Sequence, residues 1–110
     1  MGAQQIQVDV TIANGAQSSS VADLLGFTLC AVQTPGTFTG TAITFEVSAD
    51  NSTFVPVHVE AGTAYSITVA ASRATIVDIQ KFRGFRYVRV KSGSAEGGAR
   101  TVTLHAAAIQ

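Results

Sequence analysis

The chain has 110 residues, contains seven basic and seven acidic residues, and draws 46% of its length from the hydrophobic set. This length and composition suit one domain with one core, so we expect residues 1–110 to form a single unit. No apolar run approaches the ~20 residues that span a bilayer, so we expect no contact with a membrane. The first ten residues lack a secretory signal pattern, so we expect the protein to be made and used in a cytosol.

The charges are few and unevenly placed. Only 13% of the residues are charged; residues 1–72 hold five acidic residues and no Lys or Arg, whereas residues 73–110 hold seven basic and two acidic residues. Two interpretations of this split stay open: ion pairs within the fold, or complementary contacts between copies of the chain. The zero net charge disfavours a nucleic-acid partner, because non-specific binding to nucleic acid relies on a broad positive field.

Polar and apolar residues alternate along most of the chain, which predicts β-strands with one buried face. In chain order, the predicted strands cover residues 6–12, 25–32, 43–48, 54–59, 65–69, 73–79, 85–91 and 102–108, and the third and fourth form a hairpin. Residues 80–84 are expected to make a tight connection, and turn residues such as Asn14-Gly15 and Pro35-Gly36 separate other strands. Eight short strands at this spacing predict an all-β fold: a single antiparallel β-sandwich, jelly-roll-like, whose first and last strands are neighbours. An immunoglobulin-like strand order is the alternative.

The seventh strand carries the main candidate contact residues. If Val88 and Val90 point into the core, then Tyr87, Arg89 and Lys91 form an outward stripe that can meet a neighbouring protein.

The amino-terminal glutamines Gln4, Gln5 and Gln7 are further candidates for a protein contact, as is the glycine-rich loop 92–98, which we expect to be mobile. An ordinary terminus and an ordinary loop account for these segments equally well.

No residue pattern indicates catalysis, a metal or a cofactor. His58 and His105 lie on separate predicted strands without further ligands at zinc-site spacing, and no serine sits in a Gly-x-Ser-x-Gly motif. Asp50, with the Asn and Ser that follow it, offers oxygens to calcium, but stabilising its own turn is the favoured interpretation. Cys30 is the lone cysteine and is expected to be buried and unreactive. We therefore predict a binding protein and not an enzyme.

Two segments resemble parts of small bacteriophage virion proteins of the capsid decoration, or cement, type: FEVSADNSTFVPV at residues 45–57 and FRYVRVKSGS at residues 85–94. The same segments are similar to galactose-binding-like sandwiches. The resemblance extends over residues 43–94 and rests on a hairpin turn and a core strand.

The resemblance implies a jelly-roll protein on the outside of a virion, made in the cytoplasm of a bacterial host. Its implied partners are the major capsid protein and further copies of itself, as a homo-oligomer with two or three subunits. A carbohydrate-binding module or tail-associated lectin is the alternative, with a glycan stacked on exposed rings such as those of Tyr65, Tyr87 and Phe54.

Overall fold

Alternating apolar residues build nine strands in the part of the chain that the computed structural model describes, residues 5–59, 62–79, 82 and 85–108. These described residues contain no α-helix, and none of their segments is a helix with the length and hydropathy needed to cross a membrane. The strands are β1 (Gln5–Ile12), β2 (Ala22–Asp23), β3 (Thr28–Gln33), β4 (Ala42–Ser48), β5 (Val55–Pro56), β6 (Ser66–Thr68), β7 (Ala74–Ile76), β8 (Tyr87–Ser92) and β9 (Arg100–Ala107).

The strands form two antiparallel sheets, which confirms the predicted β-sandwich. Sheet A has the order β1-β9-β3-β7, and sheet B has the order β2-β8-β4-β5, with β6 also paired to β4. The first and last strands are neighbours as predicted, with Val8 opposite Leu104.

Strand β2 lies between the first and second predicted strands and explains why nine strands are seen where eight are predicted, while β5 and β6 correspond to the fourth and fifth predicted strands. Ile43 and Thr44 of β4 pair with β8 on one side and with β6 on the other, and β5 continues that second side opposite Glu46 and Val47. Both short strands run antiparallel to β4. They therefore occupy one strand position, interrupted by residues 57–65.

The core lies between the two sheets. The inward rows of the central strands are less than 3% exposed: Val102 and Leu104 on β9, Ile43, Phe45 and Val47 on β4, and Val88 and Val90 on β8. Aromatic rings fill one end, where the Phe45 and Phe82 ring centroids are 4.9 Å apart and the Tyr65 ring lies 5.9 Å from each. Burial of this scale is the main stabilising contribution to a chain that has no disulfide.

The start of the second predicted strand is wrong. Leu25 and Gly26 have φ angles of 56° and 89°, which place them in a turn, and Leu25 is 61% exposed. The carboxylate of Asp23 holds this turn by accepting a hydrogen bond of 3.0 Å from the Leu25 amide. Strand β3 therefore begins only at Thr28.

A register shift at Cys30 changes which side of β3 is buried. The pairing with β9 shifts between Leu29 and Ala31, so that Val32, which strict alternation would place on the face opposite to Leu29, is fully buried opposite Leu104. Cys30 lies in this bulge and is half-buried, not buried as expected. Its thiol donates a hydrogen bond of 3.3 Å to the carbonyl of Thr28. One extra residue in a strand is enough to invert the alternation that follows it.

Candidate interaction surface

The outer face of sheet B carries the predicted stripe on β8. Val88 and Val90 point into the core with no exposed surface, while Tyr87 and Arg89 are half-buried and Lys91 is exposed. The assignment of faces on this strand is therefore confirmed. The stripe lies directly opposite β4, with Tyr87 next to Ser48, Arg89 next to Glu46, and Lys91 next to Thr44.

Arg89 is held by two contacts within the chain. Its Nε donates a hydrogen bond to Glu46 Oε1, and its guanidinium lies over the Phe54 ring, 4.6 Å from the centroid. The two side chains of the ion pair are 33% and 22% exposed, so the pair contributes up to about 1 kcal/mol. The main effect is to fix the Arg89 and Phe54 side chains in one arrangement.

Arg86 forms a second ion pair at the margin of the same face. Its Nε and Nη2 donate to the two oxygens of Asp23 at 2.7 and 2.9 Å. The hydrogen bond from Arg86 lowers the pKa of Asp23, and the same bond raises the pKa of Arg86. The guanidinium also lies 5.3 Å from the Tyr87 ring centroid. Both pairs join an acid from the first part of the chain to an arginine from the second, so internal pairing accounts for this share of the charge split.

Lys91 is the cation that this face leaves available. It is exposed, lies opposite Thr44, and forms no ion pair with any residue in the described part of the chain. Tyr87 and Lys91 are therefore the stripe residues best placed for contact with another molecule, because Arg89 is held by Glu46 and Phe54.

The predicted glutamine contacts lie on the other sheet. Gln5 and Gln7 are exposed on the outer face of β1 at the edge of sheet A, where they line a recess with Ile6 and His105. Gln4 lies outside the described residues. The structure thus separates the candidate contacts into two surfaces, one on each sheet. The His105 ring itself is held from the next strand, 3.0 Å from Gln33 Oε1.

The loop 92–98, which the sequence predicts to be mobile, is anchored at its centre by hydrogen bonds of Glu96. Glu96 is 1% exposed, and its backbone amide donates to the carbonyl of Ala16 while its carbonyl accepts from the Gly15 amide. Its carboxylate accepts five hydrogen bonds of 3.0 to 3.2 Å, from Thr39 N, Thr39 Oγ1, Gly40 N, Ser92 Oγ and Arg100 Nε. The loop is therefore fixed to residues 39–40 and to β9.

Glu96 stays ionised in spite of its burial. Burial alone would raise the pKa of its carboxyl, but the hydrogen bonds from Thr39, Arg100 and Ser92 outweigh it and lower the pKa below the ordinary value. Sequence reasoning missed this residue because the Thr39 partner is 57 positions away and no local pattern marks it. A lone acid in a glycine-rich loop close to an arginine was the only available signal.

Asp50 stabilises its own turn, as the favoured interpretation expects. Its Oδ1 accepts hydrogen bonds from Ser48 Oγ, Ser52 N and Thr53 N at 2.9 to 3.0 Å. The backbone hydrogen bonds from Thr53 and Ser52 lower the pKa of Asp50. Within the described residues, no three His, Cys, Asp or Glu side chains are grouped closely enough to hold a metal ion.

The rings considered for sugar stacking are largely in use within the chain. Tyr65 packs against Phe45 and Phe82, and its hydroxyl accepts a hydrogen bond of 2.9 Å from the Asp78 amide. Arginine side chains lie over Phe54 and Tyr87. Each of these three rings therefore has a partner within the chain.

Comparison with known proteins identifies a fold and no family. No protein family matches the sequence, and no curated protein is significantly similar to it. Among solved structures, the chain is similar to YomS, a protein derived from the SPBc2 prophage, with 17% sequence identity, coverage of 96% of both chains and a TM-score of 0.57. The two chains share their fold over nearly their whole length.

Two more distant structures are also similar in outline. One is the mitogen of Yersinia pseudotuberculosis, with 9% identity, coverage of 98% of this chain and 88% of that one, and a TM-score of 0.42. The other is the Drosophila NLP core, with 13% identity, coverage of 97% and 98%, and a TM-score of 0.39.

Proposed function

We propose that this chain is a structural protein of a bacteriophage particle that binds the outside of the assembled capsid and stabilises the shell. The observation that carries the proposal is the end-to-end fold similarity to a prophage-derived protein. The low charge content and the resemblance of residues 45–57 and 85–94 to decoration proteins support it. The proposed partner is the major capsid protein, met outside the shell after synthesis in the bacterial cytoplasm.

The outer face of sheet B is the proposed capsid contact. Tyr87 and Lys91 supply a ring and a cation, and tyrosine is enriched in the energetic centres of protein interfaces. The Arg89 pair with Glu46 and the Arg86 pair with Asp23 hold neighbouring side chains in place before binding. Side chains that are already ordered lose less conformational entropy on association, so the affinity per contact rises.

Stabilisation of the shell then follows from mass action. A protein that binds the assembled capsid and not its free subunits shifts the equilibrium toward assembly. At a free concentration one hundred times the dissociation constant, each occupied site stabilises the bound state by about 2.7 kcal/mol. Repetition over many sites makes a modest contact effective, and no reaction or cofactor is part of the proposal.

Binding to particles of the phage or prophage that encodes the chain is the direct test. Purified protein is mixed with capsids that lack it, and bound protein is measured by co-sedimentation over a concentration series. We expect saturable binding and a higher temperature of capsid disruption. Absence of binding to both immature and expanded capsids would overturn the proposal.

A pair of charge-reversal variants tests the location. Lys91→Glu on sheet B should weaken capsid binding by at least about tenfold, which corresponds to one well-placed interfacial contact. Arg73→Glu is the matched control, because Arg73 is also exposed but lies next to β7 of sheet A. An equal loss of affinity in both variants would show that net charge, and not the sheet B face, governs binding.

A further inference from the structure

The outer edge of β1 presents backbone hydrogen-bonding groups that no strand uses. β1 is the terminal strand of sheet A, and at its far end Thr11 N donates to Ser20 Oγ while Thr11 O accepts from Ser20 N. Backbone groups alternate sides along a strand, so the odd-numbered residues of β1 face away from β9. The N–H and C=O groups of Gln5, Gln7 and Asp9 therefore point outward, and they form no hydrogen bond with any described residue on that side.

Apart from one charged side chain, Asp9, this edge lacks the features that protect sheet edges from pairing. Protective features are lysine, proline, a bulge or a very short strand. β1 has eight residues, pairs with β9 in an unbroken register from Gln5 to Ile12, and carries Asp9 as its one charge. Residues 18–20 cover only the last two residues of β1, Thr11 and Ile12. The stretch from Gln5 to Val10 is a regular strand edge ready to accept another strand.

We propose that a second copy of this chain occupies the edge, with the two β1 strands antiparallel about a two-fold axis at Gln7. In this register Gln7 faces Gln7 of the other copy, Gln5 faces Asp9, and Ile6 faces Val8. The outward groups of Gln5, Gln7 and Asp9 all gain ladder hydrogen bonds. The two sheets A then form one continuous sheet of eight strands.

The side chains favour this register over two alternatives. If one strand is shifted by two residues so that Gln5 faces Thr11, the pairing fails, because the N–H and C=O groups of Thr11 already form hydrogen bonds with Ser20. A two-fold axis at Asp9 would set two carboxylates opposite each other, which is destabilising in a strand pair. With the axis at Gln7, each Asp9 lies opposite a neutral amide that can donate to it.

The apolar row also fits self-pairing. Ile6 and Val8 are half-buried at the margin of the core. In the proposed register Ile6 of one copy lies opposite Val8 of the other, so the apolar face of the sheet continues across the two-fold axis. Because the interface is the same patch on both copies, the assembly closes as a dimer and does not extend into a filament.

Cysteine cross-linking tests the register. In a Cys30→Ser background, Gln7→Cys places the two thiol-bearing residues at directly opposed positions about 5.5 Å apart between Cα atoms, within disulfide range. Asp9→Cys is the matched control, because its two copies are displaced by four residues, or roughly 14 Å along the strand. We expect a covalent dimer from Gln7→Cys under mild oxidation and none from Asp9→Cys. Cross-linking of both, or of neither, would refute the register.

Proline substitution tests the edge itself. Gln7→Pro removes an outward N–H and leaves the ladder with β9 intact, so the fold should survive. By symmetry two hydrogen bonds are lost, and the dimer dissociation constant measured by sedimentation equilibrium should rise about thirtyfold.

Ala74→Pro is the control at the opposite edge of sheet A. Thr34 N donates to Arg73 O and Val77 N donates to Cys30 O, so the groups of Ala74 face away from β3. This variant should dimerise as the unmodified protein does. A monomeric unmodified protein, or a dimer lost in Ala74→Pro and kept in Gln7→Pro, would overturn the proposal. Self-association is measured without capsids, so its failure and the failure of capsid binding are separate results.

Discussion

Replacing Glu96 with glutamine should destabilise the fold by about 2 to 4 kcal/mol, although the two side chains have nearly the same shape. The carboxylate accepts five hydrogen bonds and offers no proton in return. An amide keeps one oxygen and replaces the other with a donor. The change therefore isolates the hydrogen-bonding role of the charged group from its packing.

The magnitude follows from the partners of each oxygen. Oε1 accepts from Thr39 N, Thr39 Oγ1 and Arg100 Nε, whereas Oε2 accepts from Gly40 N and Ser92 Oγ. The new NH₂ group is least unfavourable at the Oε2 position, since a serine hydroxyl can rotate and accept. The Gly40 N–H then has no acceptor, which costs about 1 to 3 kcal/mol. Weakening of the charge-assisted bonds at Oε1 adds about 1 kcal/mol.

Chemical unfolding by urea, followed by circular dichroism, measures the loss. Glu46→Gln is the matched control, because its carboxylate also pairs with an arginine but is 22% exposed, and its removal should change stability by less than about 1 kcal/mol. Similar midpoints for the two variants would refute the anchoring role of Glu96. A loss confined to Glu96→Gln, with an unchanged slope, would support it.

Two further predictions concern the same cluster. Because the pKa of Glu96 is lowered in the folded state, its contribution to the free energy of unfolding is complete above the ordinary glutamate pKa and is lost as the pH falls through the pKa of the folded state. Urea unfolding measured at a series of pH values should show this loss of stability in acid, and Glu96→Gln should reduce the loss. Gly40→Ala should destabilise by about 1 to 3 kcal/mol by overpacking, since a Cβ would lie 2.5 Å from Ser92 Oγ. Gly97→Ala, which meets no atom within 4 Å, is its control; equal thermal shifts for the two alanine variants would contradict the crowding argument.

The alternation of residues predicts the long strands well because each has one buried face. Val88 and Val90 lie in the core as expected, and β1 pairs with β9 from Gln5 to Ile12, so that of the two predicted strands only residue Ala108 lies outside the ladder. The predicted strand from Leu25 fails because a turn with positive φ and a bulge at Cys30 depend on local backbone geometry. The alternation of polar and apolar residues does not show where a bulge inserts an extra residue into a strand.

The sequence could identify the candidate contact residues, but it could not show which of them share a surface. Tyr87, Arg89 and Lys91 share a strand, so their common face follows from alternation. Their distance from Gln5 and Gln7 depends on which sheet each strand joins, and only long-range pairing decides that. The same holds for Glu96, whose ligands come from residues 39–40 and β9.

The separation of the two proposed surfaces has a consequence for how they would act together. The β1 edge belongs to sheet A and the Tyr87–Lys91 face to sheet B, so a copy paired through β1 keeps its other face free. A dimer would then present two equivalent capsid-binding faces on one rigid body. If both faces reach sites on the shell, the second contact is intramolecular and avidity can exceed single-site affinity by about 10² to 10⁴. Gln7→Pro should therefore weaken capsid binding without altering the contact face, whereas Lys91→Glu should weaken it without altering dimerisation. If Gln7→Pro leaves the capsid affinity unchanged while abolishing the dimer, each copy binds independently and the two surfaces serve separate purposes.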